Sequence, residues 1–133
     1  QQFKKLKTVH SKFVNQNCKA VLMKVIPGIL EKNFEEFSEG IRLVQKNMSK
    51  IFYGDSNLYA SSKIKKIFSH LNKKGIQGYG QSSWGPTGFV FCKTVKERNE
   101  LFNELESYIK LKRFKEISLT KTDGRNIGRT LKS

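Results

Sequence analysis

Residues 75–92 read Gly-Ile-Gln-Gly-Tyr-Gly-Gln-Ser-Ser-Trp-Gly-Pro-Thr-Gly-Phe-Val-Phe-Cys, and this stretch decides the fold. Residues 76–79 and 88–92 flank a glycine-rich turn, and the second flank has the β-branched and aromatic character of a buried strand. Two short strands joined by a tight loop favour antiparallel pairing. Residues 114–120 predict a third strand.

Helical periodicity surrounds this hairpin on both sides. From residue 17 apolar residues recur at three- and four-residue steps, and Pro27 should kink or restart that helix. A second helix follows Asn33, an N-cap with Glu36 in capping-box position. A third ends at Gly75, where a left-handed cap belongs, and a fourth follows Thr94. The four apolar stripes are Cys18, Val21, Leu22, Val25, Ile29; Phe34, Phe37, Ile41, Val44, Met48, Ile51; Ile64, Ile67, Phe68, Leu71; and Leu101, Phe102, Leu105, Tyr108, Ile109. We therefore predict an α+β fold, with a small antiparallel sheet and helices packed on one face.

Length and composition bound the organisation of the chain. Its 133 residues suit one domain over 1–133, in which 1–12 and 121–133 are polar and expected to be irregular. The sequence has neither an apolar run long enough to span a membrane nor the apolar stretch of a signal peptide. Cys18 and Cys92 lack partners at zinc-ligand spacing, so we predict no protein metal site, and sparse cysteine fits a cytoplasmic protein.

The strongest global signal is the charge. Lys and Arg number 26 against 11 Asp and Glu, which gives a net charge of +15. Such a field attracts polyanions: nucleic acid, phosphates or acidic lipids.

The loop from Gly78 to Gly88 is the leading candidate for a binding site. Glycines let a ligand approach backbone N–H groups, and successive N–H groups in a turn can form an anion-binding nest. A plain glycine-rich hairpin is the alternative from the residues alone. Trp84, the single tryptophan, at a predicted loop tip favours a site or an interface. In the basic tail, Arg125 and Arg129 could hold a phosphate through forked hydrogen bonds, unless the tail is simply a solvated terminus.

Catalytic equipment is not recognisable in the sequence. His10 and His70 have no neighbour that suggests catalysis, and most carboxylates fall on helical faces as solubilising charge. Neither a phosphate-binding P-loop nor a dinucleotide fingerprint fits the glycine-rich loop.

Gly80-Gln-Ser-Ser-Trp-Gly-Pro-Thr87 resembles the C-terminal signature of the β-ribofuranosylaminobenzene 5′-phosphate synthases, archaeal members of the GHMP kinase superfamily. Residues 21–37 are similar to the family's helical segment, which typically reads Leu-Pro-Ala-Leu-x-Glu-x-Asp. The stretch from Arg125 to Arg129 is loosely similar to the family's terminal Asn-Arg-Gly, with the order altered. The resemblance covers roughly residues 18–92, and the following helix and strand fit the same C-terminal domain.

The resemblance implies a ferredoxin-like C-terminal domain of a transferase that is inactive without a missing N-terminal domain. The synthases join phosphoribosyl pyrophosphate to 4-aminobenzoate or 4-hydroxybenzoate in tetrahydromethanopterin biosynthesis. An anionic phosphorylated substrate and Mg²⁺ are implied, and a homodimer stays open. By position, the implied substrate- or phosphate-binding residues are Gly78, Gly80, Gln81, Ser82, Ser83, Trp84 and Gly85, to which the tail reading adds Arg125 and Arg129.

Two alternatives remain open at this stage. An ATP-binding GHMP small-molecule kinase would fit the same superfamily. A basic nucleic-acid-binding module would fit the charge, with Lys63, Lys65, Lys66, Lys73 and Lys74 on one helix, although the aromatics do not interleave with the basic residues as a stacking platform requires.

Overall fold

The computed structural model describes residues 11–53, 61–82 and 87–122, and for 51–53 it describes the backbone alone. The chain forms two compact units, Gln1–Phe91 and Cys92–Ser133. The first contains α1 (Ser11–Ala20), a π-helical segment (Val21–Val25), α2 (Ile26–Leu30), α3 (Phe34–Tyr53), α4 (Ser62–Lys73), β1 (Tyr79–Gln81) and β2 (Gly88–Val90). The second contains α5 (Val95–Leu111). The α+β class with a small antiparallel sheet is confirmed.

Side-chain caps set the starts of three helices, and the sequence predicts two of these caps, Asn33 and Thr94. The N–H of Glu36 donates to Asn33 Oδ1 over 3.1 Å, and the N–H of Glu97 donates to Thr94 Oγ1 over the same distance. Ser61 caps α4 by accepting from the N–H of Lys63 at 3.3 Å. Such bonds satisfy donors that the first helical turn leaves without a partner.

The first helix begins earlier than predicted and changes pitch before Pro27. It is already helical at Ser11, the first described residue, and becomes π-helical at Val21, where the N–H of Ile26 donates to Val21 O, five residues back. Pro27 has no N–H with which to continue an α-helix and lies in the first turn of α2. The predicted restart at Pro27 is thus confirmed.

The hairpin pairs Tyr79 with Val90, Gly80 with Phe89 and Gln81 with Gly88. Because side chains alternate along a strand, Gly80 and Phe89 share one face of the hairpin while Tyr79 and Gly88 share the other. Helix α3 packs on the first face and α4 on the second, so helices cover both faces of the hairpin and not one face as predicted. On the second face, the rings of Phe68 from α4 and Tyr79 stack with centroids 4.7 Å apart.

The core of the first unit gathers around α4. Ile64, Ile67, Phe68 and Leu71 are all buried, and Leu71 is 1% exposed. Their spacing is the stripe that the sequence predicts for this helix, and burial of such side chains is the main favourable term in folding.

The predicted strand over residues 114–120 is wrong. After α5, Arg113 takes a left-handed conformation with φ of 55°, and the N–H of Phe114 bonds to Ile109 O at 3.1 Å. A turn at Lys115 follows, and Phe114 is buried. This hydrogen-bonded helix ending reverses the chain, and among the described residues the segment that follows forms no ladder with a neighbouring strand.

Candidate functional site

The end of the hairpin closes at a hydrogen bond between Ser82 and Thr87. The N–H of Ser82 donates to Thr87 O over 2.9 Å, and both residues are exposed to solvent. Their hydroxyl groups therefore stand at the two ends of the four-residue connection. Ser83, Trp84 and Gly85, which the sequence predicts as site residues, lie outside the described residues, as do Arg125 and Arg129.

Packing against α3 accounts for the glycines of β1. A Cβ on Gly78 would lie 2.8 Å from the hydroxyl oxygen of Ser38, and a Cβ on Gly80 would overlap the side chain of Gln45. Both glycines are buried. Their lack of a side chain lets the strand approach the helix, so a role in admitting a ligand to these two positions stays a prediction.

The backbone N–H groups before the connection already have protein partners. The N–H of Gln81 donates to Gln45 Oε1 over 3.0 Å, and Gln81 is buried. The N–H of Ser82 is bonded to Thr87 as described above. An anion at this end of the hairpin would therefore use the exposed hydroxyl of Ser82 and donors further along the chain, and the part of the predicted nest at residues 81 and 82 is occupied.

The first turn of α4 lies beside the same end of the hairpin. A Cβ on Gly88 would lie 3.6 Å from Ile64 Cδ1 and 3.0 Å from Phe68 Cζ. One helical turn on from Ile64, Phe68 stacks on Tyr79, which is further from the connection. The helix therefore starts near the loop and runs away from it.

The start of α4 carries basic side chains and no acidic one. The first turn of α4 contains no acidic residue, and it carries Lys63, with Lys65 and Lys66 following. The helix dipole places partial positive charge at the N-terminus, where acidic side chains commonly compensate it. With no acid in its first turn, such a helix start favours an anionic group. Sequence reasoning missed this feature, which the absence of Asp or Glu near Ser61 could have indicated.

The second unit contains a cavity of its own, of about 460 Å³. Apolar side chains of α5 and of the following segment, including Phe102, Ile109 and Ile117, line it. Exposed Lys110 and Arg113 lie at its rim, and Lys110 pairs with Glu106 at 3.2 Å. The sequence analysis did not anticipate this cavity.

Of the two cysteines, Cys92 has the environment of an unreactive thiol. Cys18 is exposed on α1 and Cys92 is partly buried. Burial raises the pKa of the Cys92 thiol, and the nearby Glu97 carboxylate raises it further against the opposing effect of Arg98. A raised pKa keeps the thiol protonated near neutral pH, and the thiol is a poorer nucleophile than the thiolate.

A metal site is not built by the described residues. No group of three or more His, Cys, Asp or Glu side chains comes together in 11–53, 61–82 and 87–122. The Mg²⁺ that the resemblance implies therefore stays a prediction, and we derive no step through a metal. Within the same ranges no helix is long and apolar enough to cross a membrane.

Comparison with known proteins gives one significant relationship. Over 112 residues the chain is 30% identical to the beta-ribofuranosylphenol 5'-phosphate synthase of Methanocaldococcus jannaschii. The alignment covers 80% of this chain and 32% of the relative, so the chain spans about a third of the length of that protein. No protein-family profile matches the chain, and no solved structure is significantly similar to it. The chain is thus a distant relative of a ribofuranosyl phosphate synthase.

Proposed function

We propose that this chain is the C-terminal part of a phosphoribosyl-transferring synthase. The reaction joins phosphoribosyl pyrophosphate to 4-hydroxybenzoate or 4-aminobenzoate, with release of pyrophosphate and carbon dioxide, in tetrahydromethanopterin biosynthesis. The similarity to a synthase whose product is a ribofuranosyl phosphate supports this reading. The GHMP superfamily, the single domain over residues 1–133 and a cytoplasmic location belong to the same proposal.

The observation that carries the proposal is the convergence at the end of the hairpin. Exposed Ser82 and Thr87 hydroxyls lie there beside the first turn of α4, which has no acid and is rich in lysine. A phosphoribosyl pyrophosphate molecule carries phosphate groups at both ends, and its leaving group gains negative charge as the glycosidic bond breaks. Hydroxyl donors and a helix N-terminus stabilise such developing charge without reorganising.

The missing catalytic parts belong to the remainder of the enzyme. The relative extends well beyond the matched third, and the described residues contain no recognisable nucleophile–base pair or metal ligand set. We assign to the lining of the substrate site Gly78, Gly80, Gln81, Ser82, Ser83, Trp84 and Gly85, with Ser82 and Ser83 as the phosphate donors. Arg125 and Arg129 are secondary phosphate contacts in this proposal, and Mg²⁺ would enter with the pyrophosphate.

Turnover by the complete gene product tests the proposal. Pyrophosphate release is measured with phosphoribosyl pyrophosphate, Mg²⁺ and each aromatic acid in turn, and ATP with a small-molecule alcohol serves as the kinase arm. We expect turnover with one of the acids and none in the kinase arm. If turnover occurs only with ATP and the alcohol, the synthase proposal is wrong and a GHMP-type kinase takes its place.

Substitution at the hairpin end tests the site separately from the reaction. Ser82→Ala should lower kcat/KM about tenfold, a loss of one hydrogen bond to a charged group. Ser118→Ala, an exposed serine in the second unit, is the matched control and should leave kcat/KM unchanged. If the complete enzyme is active and neither Ser82→Ala nor Ser83→Ala changes kcat/KM, the site assignment is wrong.

A nucleic-acid-binding module is the second candidate, and one observation favours it. Lys65, Lys66 and Lys73 of α4 are exposed, as is Lys74, which directly follows the helix. The aromatic residue of the same helix, Phe68, is buried against Tyr79 and offers no stacking surface beside these lysines. Oligonucleotide binding that weakens steeply with salt, because counterions are released, would support this candidate.

A further inference from the structure

Five large apolar side chains stand in solvent along the π-helical segment and α2. Their exposed fractions are 62% for Leu22, 64% for Met23, 42% for Ile26, 59% for Ile29 and 76% for Leu30. We call these five residues the apolar face. They recur at the spacing of one helical side, so they form a continuous surface.

The opposite side of the same run is tightly packed on α3. A Cβ on Gly28 would lie 2.5 Å from the backbone nitrogen of Phe37. A Cβ on Gly40 would lie 2.7 Å from Val25 Cγ2. The run therefore sits on α3 by one side in a fixed orientation, and the apolar face is its outward side.

The size of the apolar face indicates a binding function. Five partly exposed side chains of this kind present on the order of 500 Å² of apolar surface, which is as large as the biggest patch on an ordinary monomer and is commonly functional. Single exposed apolar residues need no explanation, but five in one continuous surface do.

A second copy of the chain is a poor occupant for this face. An isologous contact would bury about 1,000 Å² in total, the lower bound for a specific interface. It would also bring together two chains that each carry a net charge of +15. Repulsion between like-charged surfaces opposes such a contact.

A tethered segment of polypeptide is a better occupant. Interfaces between domains of one chain bury roughly 600–1,500 Å² in total, which this face can supply. Covalent linkage raises the effective concentration of the partner to about the millimolar range, so a weak contact is enough. The synthase relative provides the length, because two thirds of it lie outside the match.

We propose that the apolar face is the docking surface for the remaining part of the same synthase polypeptide. This inference rests on the proposed function, because the occupant is the portion that the relative adds. The docked surface should be apolar at its centre and polar at its rim, since exposed Lys19 stands before the face and exposed Glu31 and Lys32 stand after it.

Cys18 is a natural reporter of this docking. Its side chain is exposed on α1, four residues and one helical turn before Leu22. A partner that covers the apolar face should slow the reaction of Cys18 with a thiol reagent such as dithionitrobenzoate. Labelling of the Cys18 peptide is followed by mass spectrometry, which separates it from Cys92.

The test uses the complete gene product and two charge variants. Leu22→Glu introduces a charge that docking would have to bury, so we expect labelling of Cys18 to become at least about tenfold faster. Leu111→Glu, at an exposed leucine of α5 (78% exposed), is the matched control and should change the rate less than about twofold. Ile29→Glu repeats the test further from the reporter, and circular dichroism verifies that each variant is folded.

The outcomes separate this inference from the proposed function. If the protein shows synthase turnover but Cys18 is labelled at the same rate in the wild type and in both variants of the apolar face, docking is overturned and the proposed function is retained. If Cys18 is protected from labelling, Leu22→Glu removes that protection, and the protein shows no synthase turnover, then docking is supported and the proposed function is overturned. Docking would also be overturned if the present chain sediments as a dimer and Leu22→Glu dissociates it. The same holds if the complete gene product adds no polypeptide to this chain.

Discussion

Helix α4 and the run from α1 to α2 have similar apolar periodicity in the sequence but opposite burial in the structure. In α4 all four members of the predicted stripe are buried. In the run, Val21 and Val25 are half-buried as expected, whereas Leu22 and Ile29 of the same predicted stripe are mostly exposed. A hydrophobic pattern therefore identifies an amphipathic helix more reliably than it identifies which residues face the core.

The π-helical turn of the run has a local cause at Pro27. An α-helix turns every 3.6 residues, and the stripe prediction assumes that pitch throughout. Because proline has no N–H, the preceding turn widens into a π-helical turn, in which one residue more than usual separates donor and acceptor. Leu22 and Ile29 nevertheless lie on one side of the run, and the buried side carries the small residues Ala20 and Gly28, which a pattern of large apolar side chains overlooks.

The largest effect that tests this contrast is truncation of leucine in each helix. Leu71→Ala removes a side chain that is 1% exposed and should cost about 2–5 kcal/mol of unfolding free energy, because a cavity remains. Leu30→Ala removes a side chain that is 76% exposed and should change stability by less than about 0.5 kcal/mol. Urea denaturation measures both. Equal losses would mean that the apolar face is packed within this chain.

The next effect concerns the inner side of the run. Gly28→Ala places a Cβ 2.5 Å from the backbone nitrogen of Phe37, and backbone cannot move aside as a flexible side chain can. We expect a loss of about 1–3 kcal/mol, as for other overpacked sites. Thermal unfolding measures it, and Ser69→Ala at an exposed position of α4 serves as the control. A neutral Gly28→Ala would show that α2 can separate from α3, and the fixed orientation of the apolar face would be lost with it.

Features that depend on a few neighbouring residues could be predicted from the sequence. Asn33 and Thr94 are caps because their side chains reach the N–H group three residues on. Gly75, with φ of 77°, ends α4 because glycine tolerates the left-handed region. The hairpin was predicted for the same reason, and its strands differ from the prediction by a few residues at their ends.

Features that depend on distant partners could not be predicted in this way. The steric role of Gly80 requires Gln45, a residue of α3 that is far away in the sequence. The same side chain accepts the N–H of Gln81, which the sequence alone assigned to a ligand. The end of α5 could not be predicted for another reason. Arg113 takes a left-handed conformation although it is not glycine, so no turn-forming residue type indicated the turn that replaces the predicted third strand.

A smaller effect compares how α2 and α4 end. Both end with a left-handed residue, but it is Lys32 in α2, with φ of 55°, and Gly75 in α4. Non-glycine residues are strained there by about 1–2 kcal/mol, which the greater freedom of unfolded glycine partly offsets. We expect Lys32→Gly to stabilise the chain by up to about 1 kcal/mol and Gly75→Ala to destabilise it by about the same amount. Midpoints of urea denaturation give both signs, and a destabilising Lys32→Gly would mean that the Lys32 side chain contributes more than its strain costs.

The smallest effect lies where α3 meets the hairpin, and its sign is informative. The hydroxyl of Ser38 is buried and has no hydrogen-bond partner among the described residues, while Gly78 packs directly over it. A buried polar group without a partner keeps its desolvation cost. Ser38→Ala removes that group with little change in shape, so stability should stay equal or rise by up to about 1 kcal/mol. Ser49→Ala is the contrasting variant, because the equally buried Ser49 hydroxyl donates to Lys46 O at 2.9 Å and its loss should be destabilising. A clear loss of stability in Ser38→Ala, measured by urea denaturation, would reveal a partner for that hydroxyl and a polar contact holding the hairpin to α3.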